Sequence, residues 1–240
     1  MEPTPAKMVL LCEQLGHMDE VLTIVSMLSV PSVFFWPEER AEKSDAAREK
    51  FFAPESDHLT LLSIYNQWQR HEYQIEWCNE HFLHVKELRK AREFGSHLVE
   101  IVQRLNILLT ACGYDWDKEK KAICPVHYQN AAKLKGIREY VNCREGTPYH
   151  SHPSSALYSS GCGPDSVAYH KLILTTTTSM QCTTAVELAL NLFSIKETGR
   201  VTSDHKIKIV KTVHTVAKKR TRKSIRLPEQ KQQACMGGSK

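Results

Sequence analysis

The sequence predicts an α+β protein with a helical first half, a small β second half and a basic tail. Apolar residues recur every three or four positions up to about residue 110. After about residue 137 the chain becomes rich in Tyr, Val, Ile and Thr, and Gly and Pro interrupt these runs. The first pattern is typical of amphipathic helices and the second of short strands joined by turns.

Length and charge limit the classes of protein that this chain can represent. The 240 residues are 41% hydrophobic and 25% charged, which predicts one or two packed domains rather than global disorder. Residues 201–240 hold eleven Lys or Arg and two acidic residues, so the basic character belongs to the tail. Its segment KKRTRK suits a nuclear import signal or a nucleic-acid contact, and a solvated, disordered end explains it equally well.

The uncharged run, the N-terminal residues and the cysteines predict neither a membrane span nor secretion. The longest uncharged run, Val21 to Trp36, contains four polar hydroxyl residues and Pro31, so it predicts a buried helix that ends before the proline. The N-terminus shows no basic start followed by an apolar segment, and we therefore expect no secretory signal. Eight cysteines without a Cys-x-x-Cys pair predict reduced thiols in the cytosol or nucleus.

The helical half is predicted element by element. Residues 8–30 are helical with a possible break at Gly16, and VPSVFFWPEER is a connector with an apolar anchor. ERAEKSDAAREKFF predicts an amphipathic helix, and another follows residue 57. Residues 76–109 predict one long helix, weakened at Gly95 by about 1 kcal/mol relative to alanine. Its apolar face holds Phe82, Val85, Leu88, Leu98, Ile101, Val102 and Leu105.

The stretch APESDHLTLLSIYNQW raises the question of catalysis, because it places Ser56, Asp57 and His58 side by side. Three consecutive residues cannot form the hydrogen-bond relay of a catalytic triad. Ser56 or Asp57 can instead cap a helix that begins here, and Asp57 adds negative charge at the positive end of its dipole. The stretch therefore predicts a helix start rather than an active site.

The sequence lacks the motifs that are typical of nucleotide binding, of serine hydrolases and of zinc sites. The sequence contains no Gly-x-x-x-x-Gly-Lys-Ser/Thr loop, no Gly-x-Ser-x-Gly elbow and no His-Glu-x-x-His pair. Two clusters of potential zinc ligands lack the usual knuckle spacing, so ordinary packing is the favoured interpretation. The first is Cys78, His81 and His84, and the second is Cys143, His150, His152 and Cys162.

Basic residues at helical spacing give a further candidate site. Lys86, Arg89, Lys90 and Arg92 lie on the predicted long helix, where a positive stripe can pair with phosphates. A solvated helix face is the alternative, and Glu87 and Glu93 partly neutralise the stripe.

Six segments together resemble a known family. In order along the chain they are EVLTIVSMLSVPSVFF, AREKFFAPESDHLTLLSIYNQW, WCNEHFLHVKELRKARE, AAKLKGIREYVN, HSHPSSALY and YHKLILTTTTSMQCTTAV. Their order and spacing closely resemble the C-terminal region of spliceosomal DEAH-box RNA helicases over residues 5–196. Within the family, the segments look most like a plant-like version of the member that acts between the two splicing steps.

The resemblance implies a domain order and a function. It implies a winged-helix remnant at 1–9, a helical ratchet domain at 10–110 and an OB-fold at 111–196. The resemblance fades after Lys196, and the charge of the remaining residues predicts a basic, disordered tail at 197–240. In this family the ratchet and OB-fold close over single-stranded RNA while two RecA-like domains hydrolyse ATP. The RNA-contacting positions that it implies are Lys86, Lys90, Arg92, His152, Ser154, Ser155, Thr175 and Thr176.

The implied protein is nuclear and binds RNA and spliceosomal proteins without being an enzyme itself. Both RecA-like motor domains are missing from the resemblance, so we expect no cofactor; ATP and Mg²⁺ would belong to the motor. The alternatives are a truncated or decayed helicase fragment without activity, and a protein-interaction module of the spliceosome.

The sequence departs from the family pattern at several positions, and some of these departures are expected to lower the stability of the barrel. Gly95 replaces an arginine, Lys171 replaces an acid, and Thr177 and Thr178 replace a Lys-Glu pair. The segment before Phe193 is short where the family closes its barrel, which predicts an open strand edge. Pro125 lies in KAICPVHYQNAAKL, which otherwise has the pattern of a helix, at a cost of about 3 kcal/mol in a helix interior. We therefore expect the barrel to be the less stable half.

Overall fold

A computed structural model describes residues 18–104, 106–110, 130–159, 163–174 and 177–186. The helical region contains α1 (Met18–Leu28), a 3-10 turn (Glu38–Arg40), α2 (Ala41–Glu49), α3 (Asp57–Arg70), α4 (Ile75–Glu80) and α5 (Val85–Arg104). The strand region contains β1 (Ala131–Gly136), β2 (Glu139–Asn142), β3 (Pro148–Ser151), the short helix α6 (Ala156–Ser159), β4 (Ser166–Leu174) and β5 (Thr178–Ala185).

The helical region has an apolar core with a high aromatic content. Helix α1 packs against α3 and α5. The Trp68 side chain is fully buried, and Phe51 meets the ring of Trp77 edge-on at 5.8 Å. The predicted apolar face of α5 is confirmed at its buried members, Leu88, Leu98, Ile101 and Val102.

The predicted single helix over residues 76–109 is wrong at residues 106–109, which follow the end of α5 and are not helical, and at residues 81–84. A turn there separates α4 from α5, and Phe82 adopts a left-handed φ of 54°. The connector of residues 33–35 pairs with this turn: Phe34 bridges to Leu83, and the His84 N–H donates to the Val33 carbonyl at 2.7 Å. The apolar spacing continues across this turn, so the sequence pattern gave no sign of the break. The turn is stable because the connector's backbone pairs with N–H and C=O groups that a continuous helix would have paired internally.

The five described strands form a closed barrel in the order β1-β2-β3-β5-β4. Neighbouring strands are antiparallel except β3 and β5, which are parallel through the pairs His150–Ser179 and Ser151–Met180. The barrel core holds Ala132, Tyr140, Tyr149, Leu157, Val167, Tyr169 and Met180. The predicted α+β class, a helical domain followed by a small OB-like barrel, is confirmed.

Two expectations about the barrel need correction. The expected open edge is wrong, because β4 pairs with β1 and β5 pairs with β3 before residue 187, so closure does not need the shortened segment. The helical interpretation of KAICPVHYQNAAKL is wrong at residues 131–134, which begin β1 and place the first strand earlier than residue 137. Pro125 lies outside the described residues, as do 1–17 and 187–240.

Candidate nucleic-acid interface

The Ser56–His58 stretch begins α3 and contacts the barrel. The Leu59 N–H donates to Ser56 Oγ at 3.2 Å, which confirms the predicted helix cap. Ser56 and Thr184 also form a β-bridge, and their hydroxyl oxygens are 2.8 Å apart. The Ala185 N–H donates to the Glu55 carbonyl at 2.7 Å. The start of α3 is therefore joined to β5 by both backbone and side-chain hydrogen bonds, and we call this contact the seam.

His58 takes part in the seam rather than in a catalytic relay. Its Nδ1 atom is 2.8 Å from Thr184 Oγ1, the same hydroxyl that Ser56 contacts, and both Ser56 and His58 are fully buried. Ser56 and His58 thus meet through a threonine of the barrel. This geometry holds two regions together and leaves no exposed nucleophile at Ser56.

Asp57 is the polar centre of the seam. Its carboxylate accepts from the Ala156 N–H at 2.7 Å, the Thr183 N–H at 2.8 Å and the Thr183 hydroxyl at 3.1 Å. Burial raises the pKa of Asp57, while the hydrogen bonds from Thr183, Ser155 and Ala156 act in the opposite direction. One side chain of the helical region thereby binds two separate segments of the barrel.

The residues His152, Ser154 and Ser155 lie beside this centre. The Ser154 N–H donates to His152 Nδ1 at 3.1 Å, and Arg48 Nη2 donates to the Ser154 carbonyl. Burial, and then the positive charge of Arg48, lower the pKa of His152, while Asp57 acts to raise it. Ser155 is 3% exposed and its Oγ is 2.7 Å from Thr183 Oγ1. The seam therefore already engages the Ser155 hydroxyl.

The basic residues of α5 form a second, exposed surface. Lys86 and Arg92 are exposed, whereas Lys90 is half-buried and bonded to Glu87 at 2.7 Å. The guanidinium carbon of Arg92 lies 3.7 Å from the centroid of the Tyr73 ring. The ring holds the cation in one place, and the cation keeps an exposed edge for hydrogen bonding.

The structure thus divides the predicted RNA-contacting residues into two groups. Lys86, Lys90 and Arg92 lie on α5, while His152, Ser154 and Ser155 lie at the seam; Thr175 and Thr176 fall outside the described residues. Sequence reasoning missed Tyr73 and Arg48, and no local pattern marks either one. Tyr73 reaches Arg92 through a left-handed turn, and Arg48 reaches Ser154 across more than one hundred residues.

The described part of the chain has neither a metal-binding cluster nor a membrane-spanning helix. Within it, no three or more His, Cys, Asp or Glu side chains come together in a group that could hold a metal ion. Cys162, a member of one candidate cluster, lies outside it. None of the described helices has the length and apolar character needed to span a membrane.

The comparisons with known proteins agree with the helical first part of this architecture. Residues 2–61 match the family model described as helicase associated domain (HA2), ratchet-like. The chain is also 31% identical over 213 residues to the pre-mRNA-splicing factor ATP-dependent RNA helicase prp22 of Schizosaccharomyces pombe. That match covers 86% of this chain and 18% of the helicase. Together the two matches support the resemblance to the accessory C-terminal region of a splicing helicase.

Proposed function

We propose that this chain acts as the accessory C-terminal region of a DEAH-box splicing helicase and contacts single-stranded RNA through α5. The supporting observation is the exposed basic edge of α5, where Tyr73 holds Arg92 in place, on a chain similar to a splicing RNA helicase. The contact has no activity of its own in this proposal; it holds a strand that a motor would move.

The chemistry of the contact follows from the side chains. Lys86 supplies a mobile point charge, while Arg92 supplies a guanidinium already restrained by the ring beneath it. Less side-chain entropy is lost when a restrained arginine meets a phosphate. Lys90 gives up its pairing with Glu87 when it binds, so it contributes least. The hydroxyls of Ser154, Thr175 and Thr176 would add weaker bonds to phosphate or sugar oxygens.

ATP hydrolysis belongs to other domains in this proposal. The sequence has no phosphate-cradling loop, and the nucleotide and Mg²⁺ would be held by the RecA-like motor domains of the helicase. The nucleus would be the site of action, with spliceosomal proteins as further partners. The plant-like member that acts between the two splicing steps remains our proposal for the particular helicase.

Fluorescence anisotropy with a labelled oligouridine tests the RNA contact. The variant Lys86→Gln/Lys90→Gln/Arg92→Gln should bind at least about tenfold more weakly at low salt, because it neutralises up to three fewer phosphates. The log–log salt slope should also become shallower, by about 0.7 for each phosphate that is no longer neutralised. Deletion of residues 201–240 should be measured in parallel, so that the effect of the basic tail is separated from that of α5.

A matched control removes the same charge elsewhere. Arg40→Gln/Lys43→Gln/Lys50→Gln also deletes three exposed positive charges of the helical region, all of them outside α5. If both triple variants weaken binding equally, only net charge matters and the proposed surface is wrong. A chain whose circular dichroism shows no cooperative melting would instead support the alternative of a decayed fragment.

A further inference from the structure

A cleft opens between the helical region and the barrel, next to the seam. Its volume is about 680 Å³, including space open to solvent. The end of α1, the connector after it and part of α3 form one wall, and β4 and β5 form the other. Boundaries between two packed regions are common places for ligands to bind.

The wall on the helical side is apolar and largely aliphatic. Its aliphatic lining is Met27, Leu28, Val30, Pro31, Val33 and Leu61, and Phe34 and Phe52 are its two aromatic residues. Phe34 offers little free ring surface, because the guanidinium carbon of Arg48 lies 4.6 Å from its centroid. The larger, aliphatic part of this wall suits aliphatic side chains, whereas stacked bases would need an open aromatic face.

Two polar groups in the cleft have buried atoms without a hydrogen-bond partner among the described residues. Arg48 donates to the Ser154 carbonyl through Nη2, but its Nε–H is unpaired. The carboxamide oxygen of Gln181, on β5, is also unpaired. The cleft therefore contains one hydrogen-bond donor and one acceptor without partners among the described residues. A buried polar group without a partner lowers the free energy of unfolding, so a ligand that pairs with both groups would be stabilised.

The charges of the cleft favour an anion. Arg48 and Lys171 both line it, and Lys171 is exposed on β4. Asp57 lines it as well, but its carboxylate already accepts three hydrogen bonds from Ala156 and Thr183. The lining therefore carries two cations and one acid, and the Arg48 Nε–H takes no part in the hydrogen bonds to Asp57.

We propose that the cleft binds a short acidic-apolar peptide segment of a protein partner. An aliphatic side chain of the peptide packs on the α1 wall, and a neighbouring carboxylate accepts from Arg48 Nε–H and faces Lys171. A peptide N–H donates to the Gln181 carboxamide oxygen. This site lies apart from the basic edge of α5 and, of the described residues proposed to contact RNA, shares only Ser154 with it. The peptide proposal goes beyond the RNA contact and does not depend on the α5 surface.

Methyl NMR of the full chain tests the proposal with defined probes. The capped tripeptide acetyl-Leu-Asp-Leu-amide should shift the methyl signals of Met27, Leu28, Val30 and Leu61. Acetyl-Leu-Asn-Leu-amide should bind about tenfold more weakly, the fold-change expected when a hydrogen bond to a charged group loses its charge. Uridine 5′-monophosphate is the third probe. Saturable shifts of these methyls by the nucleotide, with none from the peptide, would assign the cleft to RNA and overturn the proposal.

Variants place the binding on named residues. Lys171→Glu should weaken the aspartyl probe several-fold and leave the asparaginyl probe unchanged, while Lys133→Glu, an exposed charge reversal on β1, should change neither. Gln181→Met keeps the size of the side chain and should weaken both probes. Equal binding of both probes to every variant, or no cleft shift with any peptide at millimolar concentration, would contradict the proposal. Oligouridine binding by Lys171→Glu, measured in parallel, keeps this result distinct from that of the α5 surface.

Discussion

The helical region and the barrel are stabilised in different ways. The helical core relies on apolar packing around two tryptophans, Trp68 and Trp77. The barrel core contains three tyrosines, and two of their hydroxyls have partners: Tyr140 donates to the Pro164 carbonyl at 3.2 Å, and Asn142 donates to Tyr169 at 2.9 Å. The barrel thus depends more on strand pairing and polar contacts, which contribute less per residue than large buried apolar groups.

The seam connects the stability of the barrel to that of the helical region. Strand β5 pairs with β3 and β4 inside the barrel and also contacts the start of α3 through Thr183 and Thr184. The barrel therefore draws support from the helical region. We still predict that the barrel is the less stable region, now because its core is small and polar rather than because its edge is open.

Replacement of Trp68, the largest fully buried side chain among the described residues, should produce the greatest difference in stability between the two regions. Trp68→Ala should lower the free energy of unfolding by about 3–5 kcal/mol, because it empties a packed site. Hydrogen exchange should show the greatest decrease in protection in α3 and α5. Trp36→Ala, at a residue that is 61% exposed, is the control and should change stability by about 0.5 kcal/mol or less. An equal decrease in protection in helices and strands would mean that the two regions unfold as one unit.

Disruption of the seam should affect mainly the barrel. Asp57→Ala leaves the Ala156 and Thr183 donors without an acceptor in a buried site, at an expected cost of about 3 kcal/mol. Thermal unfolding should then show an earlier transition for the strands, with protection decreasing first in β5. Asp45→Ala removes an exposed acid from α2 and should leave the melting curve unchanged. A single unshifted transition in Asp57→Ala would show that the seam does not stabilise the barrel.

The smallest effect is expected at Gly95, where two terms oppose each other. Alanine has the better helix propensity by about 1 kcal/mol. A Cβ at this position would lie 3.1 Å from Ser26 Oγ on α1, and that hydroxyl already donates to the Leu22 carbonyl at 2.6 Å. The net change in Gly95→Ala, measured by urea denaturation, should be about 0.5 kcal/mol or less. Gly95→Arg should destabilise by about 1–3 kcal/mol through overpacking. Clear stabilisation by alanine would show that α1 can move away.

Periodicity and turn chemistry predicted much of the fold. Apolar spacing located α1, α2 and α3, and Ser56 marked the start of α3, because these signals act within a few residues of the chain. The basic stripe of α5 was also visible, including its neutralisation by Glu87. The break before α5 was not visible, because it depends on pairing with the connector of residues 33–35.

Local sequence by itself determined the helix start at Ser56, the amphipathic faces and the positions of basic residues. Only the tertiary structure decided that the Ser-Asp-His stretch joins two regions, that the barrel closes through β3 and β5, and that Gly95 allows α1 to approach α5. The physical reason is the distance along the chain over which each interaction acts. Capping and amphipathicity arise between residues within one or two helical turns, whereas the seam joins Asp57 to Thr183 and so exists only after both regions have folded.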